Sequence, residues 1–350
     1  MKKEHILIIR FSAIGDVAMA VPVVYSLAMT YPDVRITVLS KAFARPLFED
    51  LAPNVNFMEA DIKHEYHGVR GLNTLYRRLT AKNFTAIADF HNVLRSDYLR
   101  LRFRFGRYRV EHINKHRKGR KQLTTLNNKR LVQLPTSFQN YADVLAKLGY
   151  PIEIKFTSLF HGEGGNLNLL PAAVGPKNIG EQWIGFAPFA AHESKMYPLA
   201  EMKRVIDITL QNYPKARLFF FGRGKQEEET FGKWCSESER CLYVGKHLES
   251  LHQELILMSH LDVMVSMDSA NMHLASLCNT PVVSVWGATH PYAGFLGWGQ
   301  SKELVVQTEL PCRPCSIYGN KPCARGDFAC MRSISPEQVA EKIDFVLKKR

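Results

Sequence analysis

Long apolar runs are absent from the sequence. No stretch approaches the roughly 20 uninterrupted apolar residues that a membrane-spanning helix requires. The first apolar run, Ile6–Ile9, is short and ends at Arg10, so it fits a first β-strand better than the apolar part of a signal peptide. We therefore expect a cytoplasmic protein.

Acidic residues are scarce relative to basic ones. The chain has 33 Asp and Glu against 46 Lys and Arg, a formal net charge of +13. Residues 95–130 hold thirteen of the basic residues, opposed only by Asp97 and Glu111. Such a density attracts phosphates on nucleic acid, on anionic lipid or on a phosphorylated glycan. A solvated basic face without a dedicated ligand is the alternative.

The chain also lacks the paired C-x2-C elements of a zinc ribbon. Four of its seven cysteines fall within nineteen residues, with the spacing C-x2-C-x7-C-x6-C. They are Cys312, Cys315, Cys323 and Cys330. In a cytosolic chain such a cluster favours a structural zinc or iron site, or reactive thiols, over disulfides.

The 350 residues suggest two domains, and apolar strands alternate with helical stretches in both halves. A strand at Ile6–Ile9, a helix at Asp16–Thr30 and a strand at Val34–Leu39 begin the pattern. It restarts at Trp183–Ala187, after a Gly- and Pro-containing stretch over 153–182. This rhythm predicts α/β domains with parallel sheets, whose ligands bind at the carboxyl ends of the strands.

Polar loops directly follow three of the predicted strands. No loop has the G-x-G-x-x-G pattern, so a dinucleotide site is poorly supported. Arg10–Asp16 leads into the first helix, where Asp16 alone would more often be a helix-capping carboxylate than a catalytic group. Asp268–His273 opens a helix on small residues, and its N–H groups suit a diphosphate. Pro188–Lys195 ends on a lysine that could contact phosphate.

Together these segments resemble glycosyltransferase family 9, the lipopolysaccharide heptosyltransferases. The resemblance is carried by Ile-Leu-Ile-Ile-Arg-x-Ser-x-Ile-Gly-Asp at 6–16 and by the segment Val265–Pro291. Lys195-Met-Tyr-Pro198 and Asp89-Phe-His91-x4-Ser96 resemble two further family elements. The match follows the family's order from about residue 5 to 345.

The resemblance implies the GT-B fold, with two Rossmann-like domains facing across a cleft. The expected divisions are residues 1–165 as the acceptor domain and residues 180–334 as the nucleotide-sugar domain. Residues 335–350 are expected to form a final helix that packs back toward the first domain.

The resemblance also implies roles for individual residues. Asp16 is expected to be the general base of an inverting, metal-independent transfer, which requires no catalytic cofactor. The expected donor and nucleotide site comprises Lys195, Glu227, Asp268, Ser269, Ala270, Asn271 and His273. The expected acceptor site comprises Ser12, Arg95, Arg100, Arg117, Lys118 and Arg120. Ser269 and Ala270 depart from the family's Thr and Gly, and Ala190 and Ala191 replace hydroxyl residues expected at the diphosphate.

The leading hypothesis is therefore heptose transfer from ADP-heptose to an anionic lipid A–inner core acceptor. The enzyme is expected to be a monomer, cytoplasmic or peripheral on the inner face of the inner membrane. One alternative is a transferase of the same family that uses another nucleotide sugar. Another is a basic nucleic-acid-binding protein, which few interleaved aromatic residues and the lack of a nucleic-acid fold signature disfavour.

Overall fold

The protein was analysed as a computed structural model that describes residues 4–349. The chain forms two compact units. The first comprises the chain up to residue 115 together with residues 135–156, and the second comprises residues 116–134 and the chain from residue 157 onward. Each unit is built around one parallel sheet.

The sheet of the first unit has the order β3-β2-β1-β4-β5. Its strands are β1 (His5–Ile9), β2 (Arg35–Ser40), β3 (Val55–Glu59), β4 (Ala86–Asp89) and β5 (Arg109–His112). Every residue of β1 is buried, as expected for a central strand of a parallel sheet covered on both faces. Leu7 and Ile9 share a core with Leu75, Leu99 and Phe103 from two helices.

The helices up to residue 147 are α1 (Ile14–Ala18), α2 (Val21–Thr30), α3 (Arg45–Phe48), α4 (Gly68–Thr80), α5 (Leu94–Phe105), α6 (Arg117–Thr124) and α7 (Ser137–Lys147). The single helix predicted over Asp16–Thr30 is wrong, because α1 ends at Ala18 and α2 begins at Val21. The reason is Pro22, which has no N–H to continue the α1 ladder but fits the first turn of a new helix.

The sheet of the second unit has the order β11-β10-β9-β6-β7-β8. Its strands are β6 (Gln182–Ala187), β7 (Ala216–Phe220), β8 (Cys241–Tyr243), β9 (Val263–Met267), β10 (Val282–Trp286) and β11 (Val305–Gln307). Alternate residues of β6, β7 and β9, such as Phe186, Phe220 and Val265, lie in one aromatic-rich core. The restart of the α/β pattern predicted at residue 183 is confirmed.

The remaining helices are α8 (Leu199–Asn212), α9 (Lys225–Ser236), α10 (Val244–His247), α11 (Leu251–Ser259), α12 (Ala270–Leu277), α13 (Ala329–Arg332) and α14 (Pro336–Leu347). Ser335 caps α14 as its sequence predicts, accepting a hydrogen bond from the Gln338 N–H. Helix α14 packs against α8 of the second unit. No helix within residues 4–349 is long and apolar enough to cross a membrane.

Residues 116–134 do not belong to the first unit, although the sequence predicts them in the first domain. The structure groups them with the second unit instead, and the first unit ends at Phe156 rather than near residue 165. Three contacts explain this placement: Arg120 stacks on Tyr318, and the Lys129 ammonium donates to the backbone carbonyls of Pro311 and Pro314. These partners lie far along the chain, so the local sequence does not reveal them.

Both sheets reverse their strand order at one point. The reversal lies between β1 and β4 in the first unit and between β6 and β9 in the second. Adjacent loops turn in opposite directions there, which opens a crevice at the carboxyl ends of the strands where ligands of such folds bind. The loops that follow these four strands are therefore the first place to look for chemistry.

Candidate active site

Asp16 lies at the strand-order reversal of the first unit, in the first turn of α1. Its Oδ2 atom receives the Arg10 guanidinium at 2.6 Å and the backbone N–H of Ala13 at 3.2 Å. Asp16 is therefore also a capping carboxylate, as its position at the helix start predicts. Within the described part of the chain its Oδ1 atom accepts no hydrogen bond, so one carboxylate oxygen is free to take a proton.

Arg10 holds the Asp16 carboxylate in place. It follows β1, is buried, and also donates to the carbonyl of Phe90 at 2.6 Å. Desolvation acts to lower the pKa of Arg10, but Tyr141 and the Asp16 carboxylate outweigh it and raise that pKa above its ordinary value. A permanent buried cation thus holds Asp16. Arg10 belongs to the motif at residues 6–16, but the sequence does not reveal this role.

The loop after β4 forms the other side of this crevice. Asp89 is fully buried and accepts the backbone N–H groups of His91 and Asn92 at 2.8 and 3.0 Å. Its burial raises the pKa of its carboxyl group, although the Arg100 guanidinium 3.1 Å away opposes that shift. Burial lowers the pKa of His91 to about 3, so this imidazole is neutral and a poor base.

Lys195 and Asp268 meet at the corresponding place in the second unit. Lys195 follows β6 at the end of a short 3-10 turn, and Asp268 directly follows β9. The Lys195 ammonium lies 3.0 Å from Oδ2 of Asp268, and the Thr289 hydroxyl donates to the same oxygen at 2.7 Å. The structure thus brings two predicted donor-site residues together. Thr289 also belongs to this cluster, although the sequence did not single it out.

The turn that carries Lys195 is packed tightly. Ser194 donates to the carbonyl of Gly319, and its own carbonyl accepts the N–H of Ala288. Gly319 has φ +79°, and a Cβ atom there would lie 2.5 Å from the Lys195 side chain. Only glycine combines that backbone conformation with so close an approach. The sequence around residue 319 does not indicate that this glycine packs against Lys195.

Helix α12 begins beside this pair, as predicted. Ser269 precedes its first residue and does not cap it with its side chain, so the first N–H groups of the helix, at Ala270 and Asn271, are available for an anion. Ser269, Ala270 and Asn271 are partly exposed. His273 is buried within α12.

Glu227 lies one strand farther along the same sheet edge. It is in the first turn of α9, after β7, and its side chain covers Gly224 closely enough that a Cβ atom there would meet Glu227 Oε2 at 2.6 Å. The neighbouring Arg223 donates twice to Glu254, whose pKa burial raises although Arg223 lowers it. This pair holds the β7 loop against α11.

The expected acceptor residues are divided between the two units. Ser12, Arg95 and Arg100 lie in the first unit, whereas Arg117, Lys118 and Arg120 lie in the second. Arg100 is only 12% exposed and is paired with Asp89 and Asp97, which does not favour a ligand-binding role. Arg120 stacks on Phe295 and donates to the Tyr318 hydroxyl.

The four clustered cysteines line one small cavity in the second unit. Burial raises the pKa of Cys330 to about 11; burial would also raise that of Cys323, but backbone N–H groups, foremost that of Phe328, lower it. Within residues 4–349 no group of three His, Cys, Asp or Glu side chains is arranged to hold a metal ion. The structural zinc or iron stays a prediction.

The two carboxylate–cation pairs differ in which partner reaches solvent. In the first unit Asp16 is 29% exposed and Arg10 is 7% exposed. In the second unit Lys195 is 15% exposed and Asp268 is 7% exposed. The first crevice therefore offers a carboxylate and the second offers a cation beside a helix N-terminus, which suit a proton acceptor and a phosphate site respectively.

Known structures share this fold. The E. coli heptosyltransferase WaaC, solved with ADP, has a TM-score of 0.69 at 17% identity, covering 98% of this chain and 99% of that chain. A glycosyltransferase family 9 protein from Veillonella parvula has a TM-score of 0.74 at 18% identity, covering 100% and 99%. The fold is thus the GT-B fold.

The sequence model of glycosyltransferase family 9 (heptosyltransferase) matches residues 72–322. The chain therefore belongs to glycosyltransferase family 9. The lipopolysaccharide heptosyltransferase 1 of Campylobacter coli is 23% identical over 158 residues, which are 44% of this chain. The match spans 43% of that relative, so the chain aligns with less than half of its length.

Proposed function

We propose that this protein is an inverting heptosyltransferase that transfers heptose from ADP-heptose to a phosphorylated lipid A–inner core acceptor. It would act as a monomer at the cytoplasmic face of the inner membrane. The observation that carries the proposal is the opposite exposure of the two ion pairs, because one transfer needs both a carboxylate and a cation. Family membership and the ADP bound by the E. coli WaaC structure support the nucleotide sugar.

Asp16 is the proposed general base. Its free Oδ1 would take the proton of the acceptor hydroxyl as that oxygen attacks the anomeric carbon. The bond from the anomeric carbon to the diphosphate oxygen breaks, and its electron pair leaves with the nucleoside diphosphate. Because the new bond forms on the face opposite the leaving group, the configuration inverts. Arg10 would keep Oδ2 occupied and so aim Oδ1.

Lys195 and the start of α12 are the proposed site of the leaving diphosphate. The ammonium and the N–H groups of Ala270 and Asn271 would stabilise the negative charge that develops there. These groups supply positive charge from the protein itself, which is why we propose that catalysis needs no divalent metal. Ala190 and Ala191 contribute no hydroxyl group, so Lys195 and the helix N-terminus would supply most of the binding.

Asp268 would serve the donor sugar. Both of its side-chain contacts use Oδ2, and within the residues that the structure describes Oδ1 accepts no hydrogen bond. That oxygen is available for a sugar hydroxyl, while Oδ2 positions Lys195. Glu227, one strand away at the same edge, would contact the nucleoside ribose.

The exposed members of the expected acceptor set are the proposed contacts of the acceptor phosphates. Arg95, Arg117 and Lys118 are exposed, and Ser12 lies within the Arg10–Asp16 loop. Arg120 would contribute through its placement of α6, because its guanidinium already contacts Phe295 and Tyr318. We do not assign an acceptor contact to Arg100.

A donor screen combined with one variant tests the proposal. ADP-heptose should raise the melting temperature more than GDP- or UDP-sugars do, because a ligand that binds only the folded state stabilises it. Asp16→Asn should lower kcat by about 10²–10⁴-fold while leaving that thermal shift intact. Stabilisation by UDP- or GDP-sugars alone would assign another donor, and full turnover of Asp16→Asn would remove Asp16 as the base.

A further inference from the structure

Helix α5 has an apolar stripe on its outer face. Leu94, Leu101 and Phe105 are 88%, 53% and 77% exposed, although each is large and apolar. Their spacing of seven and four residues places all three within about 40° around the helix axis. The opposite face carries Ser96, Leu99 and Phe103, which are buried in the first unit. The helix thus has two apolar faces, and the fold covers one of them.

Arginines flank the exposed stripe on both sides. Arg95 lies at about 100° from Leu94 and Arg104 at about 80° on the other side, at 100° per residue. Both arginines are exposed. Arg102 lies against the Tyr76 ring, and the acidic Asp97 is paired with Arg100. The exposed half of the helix is therefore apolar along its centre, with an exposed arginine on each edge. Asp97 also lies on the Arg104 side, where Arg100 pairs with it.

An anionic phospholipid surface fits this pattern. A helix that lies in the plane of a bilayer buries its apolar stripe among the acyl chains, while flanking arginines reach the phosphates. Nucleic acid offers no apolar layer for Leu94 and Phe105. A symmetric contact with a second copy would bring like-charged arginines together at the edges of the stripe.

We propose that the outer face of α5 docks the protein on the surface of an anionic phospholipid membrane. With twelve residues, α5 is about 18 Å long and lies along the surface. The proposal rests on the proposed function for its purpose, since an enzyme with a glycolipid acceptor must meet its substrate at a membrane. Its test uses neither donor nor acceptor.

Vesicle binding tests the proposal with the full chain. Cosedimentation compares vesicles of phosphatidylcholine with vesicles of phosphatidylcholine mixed with phosphatidylglycerol. The double variant Leu101→Ser/Phe105→Ser should bind mixed vesicles about tenfold more weakly than the wild type. The matched control, Leu169→Ser/Ile179→Ser, removes two exposed apolar side chains of the second unit and should bind like the wild type.

A charge variant separates the two components of binding. Arg95→Gln/Arg104→Gln should lose about tenfold in affinity for the mixed vesicles and little for pure phosphatidylcholine. In Phe105→Trp, brominated lipids should quench the added fluorescence, because the side chain enters the acyl layer.

Two outcomes would overturn the proposal. The first is wild-type vesicle binding by Leu101→Ser/Phe105→Ser. The second is loss of a dimer in that variant, measured by sedimentation, with vesicle binding unchanged, which would assign the stripe to a second copy. ADP-heptose thermal shifts on the same variants test donor binding separately. Failure of the membrane proposal can therefore be distinguished from failure of the proposed transferase function.

Discussion

Each unit has a carboxylate–cation pair at its strand-order reversal, but the more exposed partner differs between the units. At each strand-order reversal, a residue after the first strand of the sheet forms an ion pair: Arg10 with Asp16 in one unit and Lys195 with Asp268 in the other. In the first the cation is the more buried partner, and in the second the carboxylate is. Burial of one partner fixes the other in place, and the exposed partner is the one available for chemistry. One architecture thus exposes a carboxylate in one unit and a cation in the other.

Of the two cation replacements, loss of the exposed cation should have the larger effect. Lys195→Met should lower kcat/KM by about 10²–10³-fold and weaken ADP binding, because the developing negative charge loses its main counter-ion. Lys177→Met, which breaks the Lys177–Asp262 pair at 2.8 Å in the same unit, is the matched control and should change stability only. Normal ADP affinity in Lys195→Met would show that the two pairs do not differ in role.

Loss of the buried cation should have a smaller and different effect. Arg10→Met should lower kcat by about 10–10²-fold, because it releases the Asp16 carboxylate. The donor KM should change little, because the proposed donor-site residues of the second unit are unaltered. Arg10→Lys should restore part of the rate. Arg78→Met removes another arginine of this unit, bonded to Tyr66, and should leave kcat unchanged. A rise in donor KM in Arg10→Met would contradict the separation of roles.

A side chain at residue 319 would crowd Lys195 and should have a moderate effect on ADP affinity. Gly319→Ala introduces both a strained φ of +79° and a contact at 2.5 Å, so Lys195 must move and ADP affinity should fall several-fold. Gly180→Ala has the same strain, at φ +76°, but meets no atom within 4 Å. Titration calorimetry with ADP compares the two variants. Equal affinities would mean that the loop of Gly319 does not position Lys195.

A separate effect is expected on the pH dependence of the free energy of unfolding. His91 has a folded pKa of about 3 against 6.5 for the free side chain, because burial disfavours its charged form. The unfolded chain therefore binds the extra proton between those values. The His91 contribution is fully present above pH 6.5 and is lost as the pH falls toward 3, by up to about 1.4 kcal/mol per pH unit.

Denaturant unfolding at several pH values measures that slope. His91→Gln should flatten it between pH 6.5 and about 3. An unchanged slope in His91→Gln would mean that the buried imidazole takes up its proton without unfolding.

The sequence predicted much of the fold and the loops that lie at the strand-order reversals. Strands such as β1 and β6 are continuous apolar runs between polar loops, so their position and type could be read locally. The loops with Asp16, Lys195 and Asp268 follow those strands, and parallel strands bring such loops to one edge. The helical pattern over residues 16–30 hides the break before Val21, which Pro22 causes.

The basic block shows where local reasoning fails. Residues 95–130 are continuous in sequence, but α5 belongs to one unit and α6 to the other. Arg95 and Arg100 lie five residues apart on one helix, yet only Arg95 is exposed, because Asp89 arrives from β4 to pair with Arg100. Charge density is a property of the sequence, whereas the availability of each charge depends on neighbours from elsewhere in the chain.

The sequence alone determined the α/β class, the family motifs and the chemical groups that the strand ends would carry. It could do so because apolar periodicity and loop composition are local and set by backbone geometry. The tertiary structure decided which partner of each ion pair is buried, which arginines are free and that the outer face of α5 is uncovered. Burial depends on the atoms that distant segments bring together, and no local pattern contains that information.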